Sequence, residues 1–354
     1  MPTLPAFWHA AAQLSGRIDL SHAIHTHPEE LSNLTRDQLT ELGIAAPHTR
    51  RLLSGSPLHN TPDFLTLDHP DYPEVLRPVP YAPPVLFWRG NLDLLSAEPK
   101  TAIVGSRRCT SDGMTMARSL SRAVCEHGGA VVSGLAWGID TAAHLAAPSR
   151  TIAVLGQGLL APQTAAAART TQTIVSSGGL ILSEFSPTWP ASKHTFPLRN
   201  RVIAGLCGLT VVVEAAQRSG ARITARLALE AGREVGAVPG SPYAAASAGC
   251  LELLCQGAAL IRGPSDMLAL LGSSTAPACP TQSASHPIIS ALDPGGTTFD
   301  QLMVRTQMSP GTLGATLGAL ELQGLVRRLP GDRFTRTTSS YDDPCAWAPS
   351  HGSG

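Results

Sequence analysis

Thr101-Ala-Ile-Val104, Ala130-Val-Val132, Thr151-Ile-Ala-Val-Leu155, Leu180-Ile-Leu182, Leu209-Thr-Val-Val-Val213, Glu234-Val-Gly-Ala-Val238 and Ala258-Ala-Leu-Ile261 recur through the middle of the chain. Each run is short and continuously apolar, and the stretches between them read as helices. Strands that alternate with helices pair in parallel. A parallel sheet is covered by helices on both faces, so its strands need no polar side, and these runs accordingly do not alternate. Residues 65–270 are therefore expected to form a Rossmann-like, doubly wound, mostly parallel α/β domain.

On the N-terminal side, residues 1–60 read as a small helical module. Leu31, Leu34, Leu39 and Leu42 recur near helical spacing, and Thr35 with Gln38 makes a capping box. Leu39-Thr-Glu-Leu-Gly-Ile44 resembles the end of a SAM or helix-hairpin-helix module; a helical bundle with no nucleic-acid role has the same pattern. On the C-terminal side, the Ser, Thr, Ala and Pro run at 272–287 reads as a linker. Residues 288–336 then give two helices broken at Ser309-Pro-Gly311 and two strands joined at Pro330-Gly331-Asp332, an order that suggests a winged helix. Residues 337–354 read as a tail.

The 354 residues are 43% hydrophobic and 15% charged, enough apolar content for several cores. The 26 basic and 26 acidic side chains cancel, which excludes a uniformly basic nucleic-acid binder but leaves room for a local basic patch. No run of 18 uncharged apolar residues occurs, and residues 1–12 lack a basic leader and a cleavage site, so a soluble, cytoplasmic protein without membrane insertion is expected. The seven cysteines are scattered and contain no C-x-x-C pair, which disfavours a disulfide framework or structural zinc.

Chemistry is expected where strands end. Ile103-Val-Gly-Ser-Arg-Arg108 feeds a helix capped at Ser111-Asp112, and such a turn points backbone N–H groups at an anion, with Arg107 beside them. It is neither G-x-G-x-x-G nor a Walker A loop, so no dinucleotide fingerprint or other cofactor motif is present. A close-packed turn without a ligand has the same pattern. Ser133-Gly-Leu-Ala-Trp-Gly-Ile-Asp140 follows the next strand and opens on the same sheet edge. Asp140 and His144 share a helical face, and the reading preferred is that Asp140 caps the helix and His144 packs, since no third ligand or nucleophile is evident.

Lys193-His-Thr-Phe-Pro-Leu-Arg-Asn-Arg201 opens the most basic stretch: seven cations against two acids between positions 193 and 233. A lysine near Phe196, with Arg199 and Arg201 following, offers phosphate neutralisation beside a stacking ring, as single-stranded nucleic acid requires. A solvated helix start is the ordinary alternative. Glu214, at a further strand end, suits a carboxylate that holds Arg201 or Arg222 in place.

Taken in order, Gly105-Ser-Arg107, Ser133-Gly-Leu-Ala-x-Gly-Ile-Asp140, Ser183-Glu184, Phe196-Pro-x-Arg-Asn-Arg201, Ile203-Ala-Gly-Leu206, Val213-Glu-Ala215, Ser219-Gly220, Thr224-Ala225, Gly232-Arg-Glu-Val235 and Pro239-Gly240 resemble the DNA-processing protein A family, also called Smf. The resemblance runs from Tyr72-Pro73 to Ile261. It implies a recombination mediator of natural transformation that binds and protects incoming single-stranded DNA and loads the RecA recombinase onto it, with single-strand-binding protein as a further partner, and that is not an enzyme. It also implies a homodimer, for which the apolar stretch Leu251–Leu260, with Leu253 and Leu254, is a candidate surface. In matching positions, Arg107, Lys193 and Phe196 look like DNA-contacting residues, together with Arg199 and Arg201, while Gly105, Ser106, Ser133 and Gly134 look like the small, N–H-rich floor of the pocket. The chain departs from the family pattern at Trp137, where arginine is usual, at 161–171, and at Gly249-Cys250-Leu251.

Two other classes fit parts of the sequence. A nucleotide hydrolase resembling the LOG or lysine-decarboxylase-like proteins would use Glu214 as acid-base residue and Arg107 or Arg199 as phosphate clamp, but the Pro-Gly-Gly-x-Gly-Thr loop of that family is absent. A winged-helix regulator of duplex DNA would need a basic recognition helix, and 310–323 contains Glu321 and no Lys or Arg.

Overall fold

The computed structural model describes residues 2–21, 31–272, 287–293, 296–322, 325–329 and 332–336. The chain divides into two compact units, Met1–Ser273 and Ser274–Gly354. The tail expected at 337–354, and all of the linker at 272–287 except its two end residues, lie outside the described residues.

Each of the seven apolar runs is a strand, and two further strands precede them. The nine are β1 (Asp63–Thr66), β2 (Val85–Gly90), β3 (Lys100–Val104), β4 (Ala130–Ser133), β5 (Thr151–Val154), β6 (Leu180–Ser183), β7 (Leu209–Val212), β8 (Glu234–Ala237) and β9 (Ala259–Leu260). They form one sheet in the order β1-β2-β6-β5-β4-β3-β7-β8-β9. Neighbours among β3 to β9 are parallel. β2 pairs antiparallel with β6, Phe87 opposite Ser183, and β1 pairs antiparallel with β2. Those two strands escape a reading based on strand–helix alternation because a proline-rich loop, not a helix, joins them.

The helices α1 (Ala6–Gln13), α2 (Arg36–Glu41) and α3 (Ala46–Leu53) precede the sheet, and α6 (Ala165–Ser176) joins β5 to β6; both faces of the sheet are buried, as the unbroken apolar runs require. Ile103, Val131 and Val211 point into one core with α4 (Ser111–Glu126), α5 (Ile139–Ala146) and the later helix 264–270. The alternate residues Ala102, Val104, Val132, Ile152 and Val212 point into the other. That second core also takes Leu4, Phe7, Trp8, Leu20, Leu31, Leu39 and Leu52 from the N-terminal module, so that module shares a core with the sheet. The Thr35–Gln38 capping box is formed.

From β3 the chain winds outward through β4, β5 and β6, then returns to the opposite side of β3 as β7 and winds the other way. The strand order therefore reverses at the β3/β7 boundary. Loops leaving the carboxyl ends of these two strands diverge and leave a crevice between them.

The second unit has helices 287–290, 299–306 and 310–322 and a three-stranded sheet, β10 (Thr297–Thr298), β11 (Val326–Leu329) and β12 (Arg333–Arg336), in the order β10-β12-β11. It is a winged helix. The last two helices part at 307–309, next to the expected break, and Pro310 opens the third helix; Ser309 accepts from the Thr312 N–H, and proline at the first helical position sacrifices no hydrogen bond. Its own core holds Ile288, Leu302, Leu313, Leu317 and Phe334.

Candidate nucleic-acid interface

A cleft of about 840 Å³ opens at the β3/β7 reversal. Gly105, Ser106, Arg107 and Arg108 line it from the loop after β3, and Ala216, Arg218 and Ser219 from the loop after β7. Its far wall is the start of α7 (Thr195–Leu206), with Phe196, Arg199 and Asn200, preceded by Lys193. α8 (Gly220–Glu230), capped by Ser219 through the Ala221 N–H, gives its N-terminus to the same space.

Arg107 and Lys193 are exposed, and Phe196 is half-buried between them. The Arg107 guanidinium carbon stands 5.4 Å from the centre of the Phe196 ring, a cation–π contact. The ring in turn rests on the glycine that follows β5: a side-chain carbon at Gly156 would stand 2.7 Å from it. Five cations (Arg107, Arg108, Lys193, Arg199 and Arg218) line the cleft against a single acid, Asp140, which is buried. A chain without net charge thus concentrates positive potential at one sheet edge.

Beneath this surface lies a second layer that sequence reasoning placed on top. Arg199 is 4% exposed; its guanidinium donates to the carbonyls of Gly134 (2.7 Å) and Val154, and a Cβ at Gly134 would meet it at 2.5 Å. Burial lowers its pKa to about 10, which leaves it charged at neutral pH. Its place is therefore to hold α7 against the ends of β4 and β5, with part of the guanidinium reaching the cleft. The Gly134 N–H, expected in the pocket floor, is taken by the Asp140 carboxylate at 3.1 Å, and the Ser133 hydroxyl donates to the Ile103 carbonyl at 2.6 Å. Both residues are buried below the floor rather than facing a ligand.

Arg201 is displaced further from the expected site. It is buried and forms a two-pronged ion pair with the fully buried Glu184 (2.8 and 2.6 Å), and it also donates to the Tyr81 and Leu198 carbonyls. Ser15, from the N-terminal module, donates to the same carboxylate at 2.5 Å. With every prong engaged, Arg201 has nothing left to offer a phosphate. Arg222 pairs with Glu252, Arg226 with Glu230, and Arg233 donates to the Val75 carbonyl, so of the seven cations in that stretch only Lys193, Arg199 and Arg218 line the cleft.

Three further details differ from expectation. The helix after β3 is capped by Thr110, which accepts from the Gly113 N–H, and not by Ser111-Asp112. Glu214 accepts from the Thr110 N–H and hydroxyl instead of holding Arg201 or Arg222, so its carboxylate ties the β7 loop to the β3 loop. Asp140 does not cap its own helix; it accepts from the Gly134 and Ala136 N–H groups and closes the loop before it, and burial raises its pKa. His144 packs, as expected. Its Nε2 accepts from the Leu135 N–H while Nδ1 faces the Thr151 hydroxyl, and burial lowers its pKa to about 3, so the ring is neutral.

Gly138 carries a φ of +90°, and a Cβ there would stand 2.4 Å from the Ser106 carbonyl. The loops after β3 and β4 are thereby pressed together, and only glycine permits the contact. Gly156 and its contact with Phe196 are not singled out by the sequence motifs, although a glycine within two residues of the end of each of the first three parallel strands (Gly105, Gly134, Gly156) is a visible signal.

The family model of DNA recombination-mediator protein A matches residues 63–272, and that of the DprA winged helix domain matches 272–332. The chain belongs to the DNA-processing protein A (DprA) family. Protein Smf of Synechocystis is 36% identical over 323 residues, 78% of this chain and 80% of that one. The DNA processing protein DprA of Streptococcus pneumoniae is 45% identical over 215 residues, 59% and 73% of the two chains. The X-ray structure of DprA from Streptococcus pneumoniae superimposes with a TM-score of 0.64 at 34% identity, covering 75% of this chain and 98% of that chain. DNA processing protein A of Helicobacter pylori, whose structure describes a single-stranded DNA binding mode, superimposes with a TM-score of 0.55 at 28% identity, covering 60% and 97%. As a DprA protein, the chain is a DNA-processing protein of recombination. No helix among its described residues is long and apolar enough to cross a membrane.

Proposed function

We propose that the cleft binds single-stranded DNA without sequence preference. The observation that carries this reading is the Arg107 guanidinium over the Phe196 ring, with Lys193 beside them and no exposed acid in the cleft. A ring serves any unpaired base, because every base has a π-face; duplex DNA keeps its bases stacked on each other and offers this ring nothing. Arg107 must leave the ring for a base to stack there. An exposed cation–π contact is worth about 0.5–1 kcal/mol, less than the 1–3 kcal/mol or so of base stacking, and the freed guanidinium gains a phosphate. The Helicobacter pylori relative's single-stranded DNA binding supports the same reading.

In the cell, the protein then protects incoming single strands during natural transformation and loads the RecA recombinase onto them, with single-strand-binding protein as a further partner. It acts as a homodimer. Leu253 is buried and Leu254 packs on the core, so the proposed dimer surface is the short edge strand β9, where Leu260 is 48% exposed, with Leu229 of α8 at 59%. An enzymatic role for Glu214 has no support from its position, since its carboxylate is engaged by Thr110.

The test is binding of labelled single-stranded and duplex oligonucleotides over a salt series. Single strand should bind more tightly, and each phosphate contact should add about 0.7 to the slope of log K against log salt. Equal affinity for duplex, or a flat response to salt, overturns the proposal.

A further inference from the structure

Two large aromatic side chains are exposed in loops that also contribute residues to the cleft. Trp137, in the loop between β4 and α5, is 70% exposed, and Tyr243, in the loop that follows β8, is 98% exposed. Neither ring has a stacking partner or a side-chain hydrogen bond among the described residues. Neither lines the cleft, but each is adjacent or nearly adjacent in sequence to a residue that does, Ala136 and Ala245 respectively. Strand order places β4 and β8 on opposite sides of the β3/β7 boundary. The two aromatics therefore belong to opposite rims, on strand ends three spacings, or roughly 14 Å, apart.

Both loops are held by the protein itself. The Asp140 carboxylate ties the Trp137 loop through the Gly134 and Ala136 N–H groups, and Thr141 donates to the Ala136 carbonyl through both its N–H and its hydroxyl. The Tyr243 loop is folded by successive turns, Ala244 N–H to the Ser241 carbonyl and Ser247 N–H to the Ala244 carbonyl. An indole and a phenol held in water on ordered loops forgo burial without any return in the fold. The cations of the site lie in the cleft between them, and uncharged rings outside a row of cations complement the bases of a strand whose phosphates those cations engage.

We propose that Trp137 and Tyr243 are base-stacking stations on the two rims, so that a single strand crosses the sheet edge from the β4 side to the β8 side and is gripped beyond the cleft at both ends. The proposal rests on the reading of the cleft as a single-strand site. It adds the path of the strand and two contacts that carry no charge.

Affinity for oligothymidylates of increasing length tests it, measured for the parent, Trp137→Ala, Tyr243→Ala, the double variant, Trp137→Phe and Phe196→Ala. Each single alanine variant should weaken the long-oligonucleotide plateau by about tenfold. The double variant should reach its plateau at a shorter length, all with the parent's salt slope, because stacking releases no counterions. Trp137→Phe should recover most of the loss. If the alanine variants follow the parent at every length while Phe196→Ala weakens binding, the rim stations do not exist and the cleft reading stands. If they leave DNA binding unchanged but dissociate a dimer in sedimentation, the rings are protein contacts and the proposal is overturned. If the parent fails to bind single strands, or Phe196→Ala binds like the parent, the cleft reading fails and this inference falls with it.

Discussion

Arg107, Lys193 and Phe196 meet in one place but should contribute different kinds of energy to binding, and a salt titration separates them. Lys193→Ala should weaken binding of every sequence to a similar degree and lower the salt slope by about 0.7, the signature of one lost phosphate contact on a single strand. Phe196→Ala should cost about 1–3 kcal/mol with the slope unchanged. Arg107→Ala should do more than Lys193→Ala, since the guanidinium both covers the ring and offers a planar fork to phosphate. Three variants that fold and bind like the parent would show that this cationic cluster is a solvated surface. These three residues were legible in the sequence because exposed cations near an aromatic carry their chemistry outward. Arg199 and Arg201 follow in the same helix only a few residues later, but from position 199 that helix is enclosed on all sides, so both are buried although they lie on opposite faces. Sequence spacing alone does not distinguish a phosphate contact from a cation that a buried carbonyl or carboxylate has already taken.

At the level of elements, the parallel strands could be read because burial on both faces removes all polar alternation, leaving apolar runs bounded by glycine. β1 and β2 could not, since they enter antiparallel through a proline-rich loop, and the pairing of β2 with β6 and of β1 with β2 is decided by the sheet edge rather than by their own pattern. Nor does any local pattern show that the N-terminal module is tied to the sheet. Arg201 on α7, Glu184 at the end of β6 and Ser15 behind the first helix form one buried cluster, and Arg201 also donates to the Tyr81 carbonyl. Removing one partner of a buried pair strands the other charge at a cost of about 3–5 kcal/mol, whereas apolar residues in place of both are often neutral. Arg201→Ala should therefore lower the urea midpoint strongly, Arg201→Met with Glu184→Met should recover much of the loss, and the folded fraction of either should keep its affinity for single strands. A selective loss of DNA affinity in a fully stable Arg201→Ala protein would return that residue to the binding site.

For the whole molecule, zero net charge means that attraction to DNA has to come from where charges are placed rather than from how many there are. One cleft with a handful of phosphate contacts gives modest affinity that falls quickly with salt. The proposed homodimer would put two clefts on one particle, holding the same strand at high effective concentration and recovering what a single site lacks. The sheet offers a surface for such pairing. β9 is only two residues long and forms the end of the sheet, so its outer backbone edge lies next to the half-exposed Leu260. Leu229 and Leu253 line a depression between α8 and the helix 248–255, together with Arg222 and Arg226. The exposed Leu229 and Leu260 fit burial against a second copy better than they fit solvent. Leu229→Lys with Leu260→Lys puts charge on that surface without touching the cleft. In sedimentation at micromolar concentration the parent should run as a dimer and the double variant as a monomer. The monomer should keep its affinity for an oligonucleotide too short to reach two clefts and lose at least tenfold for one long enough to reach both, since only the second measurement depends on linkage. A parent that sediments as a monomer overturns the homodimer, and a double variant that remains a dimer places the interface elsewhere.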